Sequence, residues 1–234
     1  MGSITPFRTD KAVVDFAKRF MRHHRRGFRQ SIRICLTKNL AEKHAYFPAL
    51  ISCIGFLEFL GGLNSGRLRG NAHSRIVSYA LEFMDTEHYS SANLEILYKC
   101  FRHKVAHLSH PYYVFDTEKE GIEGPRKLIT WTVCASDRKP AIELKSCGNK
   151  KLRKMSPPWE VQYDHRVHIW VRRLMQDLIN STKGPTGYLC ALEADRTKRE
   201  HFAKCMKEFF PPAPPPLSGT RMPTSSRPVA PVGC

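Results

Sequence analysis

The segment from Phe47 to Leu63 constrains the fold most, because almost all of its residues are apolar. Such a segment must be covered on several sides, so we interpret residues 39–63 as the central buried helix. Glu58 is the one charge between Phe47 and Leu63, and the Gly61-Gly62 pair interrupts the run before it reaches the 18 or more residues of a membrane span. We therefore expect a helical core built around this segment and no membrane span.

Apolar residues at three- and four-residue spacing predict further helices around this core. The first covers Asp10 to about Lys38, where Val13, Ala17, Phe20 and Met21 form one stripe. The others are predicted at 73–84, from Ser90 or Ser91 to the residues before Pro111, at about 158–181 and at about 186–210. The predicted class is mainly α, a helical bundle.

Between residues 112 and 145 the pattern changes to that of strands. Tyr112 to Phe115, Leu128 to Val133 and Ala141 to Leu144 are rich in β-branched and aromatic residues, and turns separate them. We predict a small antiparallel sheet inserted into the helical domain, which must pack on the helices because it is too small to be stable alone. A basic loop is predicted at 146–157.

The C-terminal residues 211–234 are rich in Pro, Ser and Gly and poor in apolar residues. A segment of this composition cannot bury enough apolar surface to fold, so we predict a disordered tail. The predicted organisation is one helical domain over residues 1–210, with the sheet insertion at about 112–145, followed by the tail.

The net charge of +17 predicts a polyanionic partner, with nucleic acid ahead of an anionic membrane surface. Part of this charge forms a row on the first helix, made of Lys18, Arg22, Arg25, Arg29 and Arg33. Two interpretations stay open for the row, a solvated helix face and a track for a phosphate backbone. A glycine-rich loop at 65–71 carries further arginines. The candidate RNA-binding residues are Arg22, Arg25, Arg29, Arg67 and Arg69.

The eight cysteines form no CxxC pair, and no Cys/His cluster has the spacing of a zinc site. We predict no metal site and no cofactor. His165 and His168 are interpreted as residues on one face of a late helix, and as metal ligands only if acidic residues join them. The N-terminus carries no secretory signal, which predicts a cytoplasmic protein without structural disulfides.

The string from Phe101 to His107 reads Phe-Arg-His-Lys-Val-Ala-His and holds the groups that RNA cleavage without a metal requires. A histidine can take the proton of a 2′-OH because its pKa lies near neutrality. An arginine can bind the phosphate as negative charge develops on it. Arg102 and His107 would supply these groups, although positions five apart on an ideal helix differ by roughly 140°. The helix end must therefore be distorted, or Arg102 must reach round it.

Arg102, His103 and His107 match one for one the motif of the HEPN superfamily, which is Arg, then Asn, Asp or His, then three or more residues, then His. Together with the helical segment that ends at Leu63, the chain resembles prokaryotic HEPN proteins over about residues 10–110 and 158–181. The resemblance implies a helical domain that forms a homodimer with a composite active site. It implies a metal-independent endoribonuclease of toxin–antitoxin, abortive-infection or CRISPR-linked defence, with an antitoxin or regulatory protein as a further partner.

The same resemblance assigns roles to the motif residues. His107 would be the general base or acid, Arg102 the group that binds phosphate, and His103 an orienting group. Glu58 is a candidate supporting acid or a partner for an arginine.

Two alternatives to a ribonuclease stay open. A non-catalytic HEPN-like module would bind RNA, a nucleotide or a protein without cleaving RNA. A basic structural protein unrelated to this superfamily would bind DNA or RNA, and its Arg102 and His107 would not approach each other.

Overall fold

A computed structural model of the chain describes residues 7, 9–38, 44–105, 112–153 and 160–210. Three helices open the chain, α1 (Asp10–Cys35), α2 (Tyr46–Ser65) and α3 (Ala72–Phe83), and α4 (Ser91–Ile96) continues directly into a π-helical segment (Leu97–His103). Four strands follow, β1 (Phe115–Asp116), β2 (Leu128–Cys134), β3 (Ile142–Arg153) and β4 (Glu160–Trp170). The described chain ends in α5 (Val171–Asn180), α6 (Tyr188–Ala194) and α7 (Arg196–Phe209).

The predicted central helix is confirmed as α2, which begins at Tyr46 and has Pro48 in its first turn. It packs against α1, α3, α5, α7 and the π-helical segment. Leu50, Cys53, Leu57 and Leu60 are fully buried. By length and composition α2 could cross a membrane, but more than half of its apolar window is buried inside the fold, which is the arrangement of a core helix. It ends at Gly66, which adopts the left-handed conformation that glycine tolerates best.

Helix α1 is continuous through Gly27, as the basic row requires. It begins where the Thr9 side chain accepts a hydrogen bond from the Ala12 backbone N–H. Its apolar stripe is buried against α2, and it consists of Val13, Ala17, Phe20, Met21, Phe28 and Ile32. The opposite face of the helix is therefore free to carry cations.

The inserted sheet is mixed, and the prediction of a purely antiparallel sheet is wrong. The strand order is β1-β2-β4-β3, in which β1 and β3 pair antiparallel with their neighbours but β2 and β4 run parallel. The parallel pair arises because the chain crosses over through β3 before β4 returns beside β2. The sheet packs on the helices as expected, since the Phe101 ring contacts Phe115 and Trp131.

Two sequence interpretations around the sheet are also wrong. Residues 160–170 form β4 and not a helix, and residues 146–153, predicted as loop, belong to β3, which carries a bulge between Ser146 and Lys150. In β4 the buried residues Tyr163, Val167 and Ile169 alternate with more exposed ones, which is the period of a strand. Val161, His165 and His168 of β4 lie at the three- and four-residue spacing of a helix, and the true helix that follows, α5, continues that spacing.

The predicted last helix, at 186–210, is divided into α6 and α7. Asp195 adopts an extended conformation between them, and its carboxylate accepts a hydrogen bond from the Thr197 backbone N–H at 2.7 Å. An aspartate at this position starts a new helix because it satisfies one of the free N–H groups. The predicted tail at 211–234 lies outside the described residues.

Buried polar contacts fix α5 against the turn that precedes α4. The Tyr89 hydroxyl donates to Asp177 Oδ2 at 2.8 Å, and Arg173 forms an ion pair with the same carboxylate at 2.7 Å. Burial raises the pKa of Tyr89 well above its ordinary value, and the neighbouring Asp177 raises it further. The hydroxyl therefore remains a protonated donor.

We expect Tyr89→Phe to lower the free energy of unfolding by about 1–3 kcal/mol, because it removes a buried donor to a charged acceptor. Urea unfolding followed by circular dichroism measures this change. Tyr112→Phe is the matched control, since 47% of the Tyr112 surface is exposed, and it should leave the midpoint almost unchanged. Equal effects of the two substitutions would contradict the assigned role.

Candidate nucleic-acid interface and motif segment

The arginine row of α1 forms one wall of a groove that we call the arginine groove. Residues at the end of α5 and in the turn after it form the other wall, and the enclosed volume is about 790 Å³. The lining residues are Arg22, Arg25, Arg26, Arg29, Gln30, Arg33, Ile179 and Lys183. Three of the five predicted RNA-binding residues, Arg22, Arg25 and Arg29, are thus brought to one surface.

Arg25 is the best-positioned cation of the groove. It is partly buried, and its Nη1 donates to Thr182 Oγ1 at 3.1 Å. Thr182 is fully buried, and its hydroxyl donates in turn to the Ile179 carbonyl oxygen at 2.7 Å. This chain of hydrogen bonds fixes the Arg25 guanidinium in the lining of the groove, and it uses one of the five N–H donors of that group.

The groove concentrates positive charge without neutralising it. Burial lowers the pKa of Arg25, and the neighbouring Arg22 and Arg29 lower it further, although a guanidinium stays charged at neutral pH. No carboxylate is among the lining residues of the described structure. A bound anion would therefore reduce the repulsion among the arginines, and its attraction to Arg25 would offset the cost of the partial desolvation of that guanidinium.

The N-terminal end of the predicted row behaves differently. Lys18 forms an ion pair with Glu193 of α6. The hydrogen bond to the Glu193 carboxylate and the negative charge of that group raise the pKa of Lys18. Its charge is neutralised within the fold, so the uncompensated row begins at Arg22.

Arg67 and Arg69 do not join the α1 arginines. Both are exposed in the loop between α2 and α3, and neither lines the arginine groove. The backbone carbonyl of Arg69 accepts a hydrogen bond from Arg75, which fixes the loop to α3. The five predicted residues therefore form two separate basic surfaces.

In the predicted motif, Arg102 lies in the π-helical segment and is paired with a carboxylate. Its Nε is 3.4 Å from Glu58 Oε1 of α2, and the two side chains are 35% and 18% exposed. Arg102 and Glu58 are distant in the sequence, and both are candidate site residues from the sequence analysis. The structure brings them together. The side chain of His103 and the whole of His107 lie outside the described residues.

The helix that carries Arg102 is distorted, which is one of the two arrangements that the sequence analysis left open. The segment Leu97–His103 has π-helical hydrogen bonding, in which a backbone N–H bonds to the carbonyl five residues earlier. Turns of this kind are rare and occur frequently at functional sites. The wider turn changes the direction of the side chains within Leu97–His103 relative to those of an α-helix.

The inserted sheet contacts the helix that carries the motif. Lys104 lies 3.1 Å from Glu120 and 4.7 Å from the centre of the Tyr112 ring. Lys99 forms an ion pair with Glu95 at 2.7 Å and also donates to the Gly121 carbonyl. The turn at 117–121 is therefore fixed beside the motif, and the insertion forms part of its surroundings.

His165 and His168 lie on a strand, and the interpretation as one helix face is wrong. Positions three apart on a strand point to opposite faces of the sheet, so these two imidazoles do not form one metal site. His165 Nδ1 is 2.5 Å from Asp164 Oδ1, whereas the His168 ring stacks on Trp170 at 5.6 Å.

Other groups with metal-binding chemistry are sparse among the described residues. Asp85, Glu87 and His88 have ligand atoms within 4.8 Å of one another on a surface turn, an arrangement that is common without a metal. The described cysteines are all unpaired, and Cys53, Cys100 and Cys205 are buried.

Comparisons with protein-family models, with curated proteins and with solved structures give no match. The resemblance to HEPN proteins therefore depends on the motif residues themselves. The functional argument depends on the arginine groove and on the surroundings of Arg102.

We expect Glu58→Gln to change the free energy of unfolding by less than about 1 kcal/mol, because a partly exposed ion pair contributes little to stability. Urea unfolding measures this change, and Glu200→Gln, which weakens the more exposed Arg196–Glu200 pair, is the control. A loss of several kcal/mol in Glu58→Gln would mean that the pair holds α2 against the π-helical segment and has a structural role.

Proposed function

We propose that the protein binds RNA along the arginine groove. The observation that carries the proposal is the group of five arginines and Lys183 around one groove. Among the described residues, no carboxylate lines this groove. Guanidinium groups bind phosphate oxygens bidentately, which suits them to a phosphate backbone. Lys18, which precedes these arginines in the row, is by contrast paired with Glu193 of α6.

The dimensions of the row favour an extended chain of phosphates over one compact anion. From Arg22 to Arg33 the row covers about 16 Å of helix at 1.5 Å per residue. Successive phosphates of one strand are about 3.4 Å apart along a duplex, so several of them fit beside the row. The net charge of +17 adds a long-range attraction to any polyanion.

We expect the double substitution Arg25→Ala/Arg29→Ala to weaken RNA binding and to reduce the slope of log K against log salt by about 1.4, because each lost phosphate contact on a single strand contributes about 0.7. Fluorescence anisotropy with a labelled single-stranded RNA at several salt concentrations measures both quantities. Lys204→Ala/Lys207→Ala removes the same charge from α7, outside the groove.

The control pair should lower the affinity only through the net charge and keep most of the salt slope. If both pairs reduce the slope equally, binding depends on total charge and the arginine groove is not the binding site.

A second candidate function is metal-independent RNA cleavage at the motif, in a HEPN-like fold that acts as a homodimer under the control of a regulatory protein. The observation that favours it is Arg102, a partly exposed guanidinium held by Glu58 on a π-helical segment. Arg102 would bind the scissile phosphate, His107 would take the 2′-OH proton, and His103 would orient them.

The proposed chemistry needs no water and no metal in its first step. The 2′ oxygen attacks phosphorus as its proton passes to the base, and the bond from phosphorus to the 5′ oxygen breaks. The 5′ oxygen leaves with a proton from the general acid. The products are a 2′,3′-cyclic phosphate and a 5′-hydroxyl.

We expect cleavage of labelled RNA to persist in EDTA and to fall by about 10²–10⁴-fold in His107→Ala, because the general acid–base group is lost. Arg102→Ala should reduce it as well, and His110→Ala, in the same stretch of chain, is the control. Gel analysis with a terminal-phosphate assay identifies the product ends. If pure wild-type protein never cuts and no added activator elicits cleavage, the second function is wrong while RNA binding can still hold.

A further inference from the structure

Helices α1 and α2 leave a second depression between them, which we call the aromatic cleft. Its volume is about 380 Å³, within the range of about 300–1,000 Å³ that small-molecule sites occupy. The lining residues are His23, His24, Gly27, Phe28, Ser52, Gly55, Phe56 and Phe59. None of them lines the arginine groove, so the two depressions open on different flanks of α1.

Two glycines keep the aromatic cleft open. Gly27 lies inside α1 and Gly55 inside α2. Apart from the adjacent residues and the helix's own backbone, no atom lies within 4 Å of the position that a Cβ would take on either residue. Neither has a positive φ that would require glycine. A glycine inside a helix is nevertheless less stable than alanine by roughly 1 kcal/mol. Neither packing nor backbone conformation therefore accounts for this pair, whose one evident effect is an open cleft.

The lining of the cleft suits a flat, aromatic ligand. The Phe28 and Phe56 rings stack with centres 4.3 Å apart, and His24 stacks on Phe59 at 5.3 Å. Burial lowers the pKa of His24, and the adjacent His23 lowers it further, so His24 is largely uncharged at neutral pH. No carboxylate is among the described residues that line the cleft. Phe28 and Phe56 are buried, whereas His24 and Phe59 are partly exposed, so the last two rings offer π-surface to a ligand.

We propose that the aromatic cleft binds a base of a single-stranded RNA whose phosphates lie in the arginine groove. This proposal rests on the proposed RNA binding and names its substrate class. Arg26 lines the groove and Gly27 lines the cleft, so a ligand in both would cross α1, which is about 10–12 Å wide. At about 3.4 Å or more per nucleotide, three or four nucleotides span that width.

Single-stranded RNA is favoured over a duplex by this geometry. Bases in a duplex are paired and stacked inside the helix, so none is free to enter a cleft, whereas unpaired bases stack readily on aromatic side chains. The arginine groove alone would bind phosphates of either form. The cleft would therefore supply the preference for unpaired RNA.

The test separates base binding from phosphate binding by comparing a single-stranded 12-nucleotide RNA with an abasic oligonucleotide of the same length and charge. Wild-type protein should bind the base-bearing strand at least about fivefold more tightly, the lower limit expected for one stacked base. The double substitution Gly27→Leu/Gly55→Leu should remove this preference and leave the affinity for the abasic strand unchanged. The two leucine side chains fill the cleft and do not enter the groove.

The substitutions also control for folding. Leucine has a higher helix propensity than glycine and enters open space at both positions, so the double variant should unfold at the same temperature as the wild type or above it. Gly27→Ala/Gly55→Ala is the matched control, which adds only two Cβ atoms and should keep most of the preference.

Each of four results would overturn the proposal. Equal affinity of the wild type for base-bearing and abasic strands would leave the groove as a phosphate site and exclude a base in the cleft. An unchanged preference in the leucine variant would place the base elsewhere. A change of oligomeric state in that variant, with the RNA preference intact, would identify a second copy of the chain as the occupant. If the wild type binds neither strand, the proposed function fails together with this one.

Discussion

Burial of α2 is the interaction on which the rest of the structure depends. Four helices and the π-helical segment pack around it, and each fully buried Leu or Ile contributes about 1.5–3 kcal/mol relative to an exposed one. Because α2 is covered on several sides, α1 can bury one stripe and leave its other faces to solvent. The arginine groove, the aromatic cleft and the position of Glu58 all follow from where these helices lie against α2.

The electrostatics of α1 oppose the stability of the free protein. Burial partly desolvates Arg25, and Arg22 and Arg29 repel it, which is why the pKa of Arg25 is lowered. The hydrogen bond to Thr182 offsets part of this cost by fixing one guanidinium nitrogen. A cluster of arginines whose mutual repulsion an anion would reduce is typical of a binding surface. Lys18 on the same helix is instead neutralised by Glu193, which is typical of a structural contact.

The sequence predicts the parts of this fold that depend on local periodicity. The stripe on α1, the apolar α2 and the start of α4 at Ser90 or Ser91 are local signals, and the structure has all three. Strand β4 is not predicted because its Val161, His165 and His168 follow the three- and four-residue spacing of a helix, which the true helix after it continues. The parallel pairing of β2 with β4 depends on a crossover between distant segments, which no local pattern encodes.

The same distinction applies to the candidate sites. The spacing of Arg22, Arg25 and Arg29 predicts a shared face, but the second wall of the groove comes from Ile179 and Lys183, far along the chain. The aromatic cleft has no local signature at all. In the sequence, Gly27 and Gly55 are each an isolated residue of low helix propensity inside a helix. Only the packing of α1 on α2 places them in one depression.

The position of Glu58 relates the aromatic cleft to the motif. Gly55 and Glu58 are three residues apart on α2, so they are neighbours on its surface, and Glu58 holds Arg102 at 3.4 Å. A strand that crosses α1 from the groove into the cleft would therefore end one helical turn from the residue that pairs with Arg102. Phosphate binding, base binding and the proposed cleavage would then act on consecutive parts of one RNA strand, and RNA binding would not require the cleavage step.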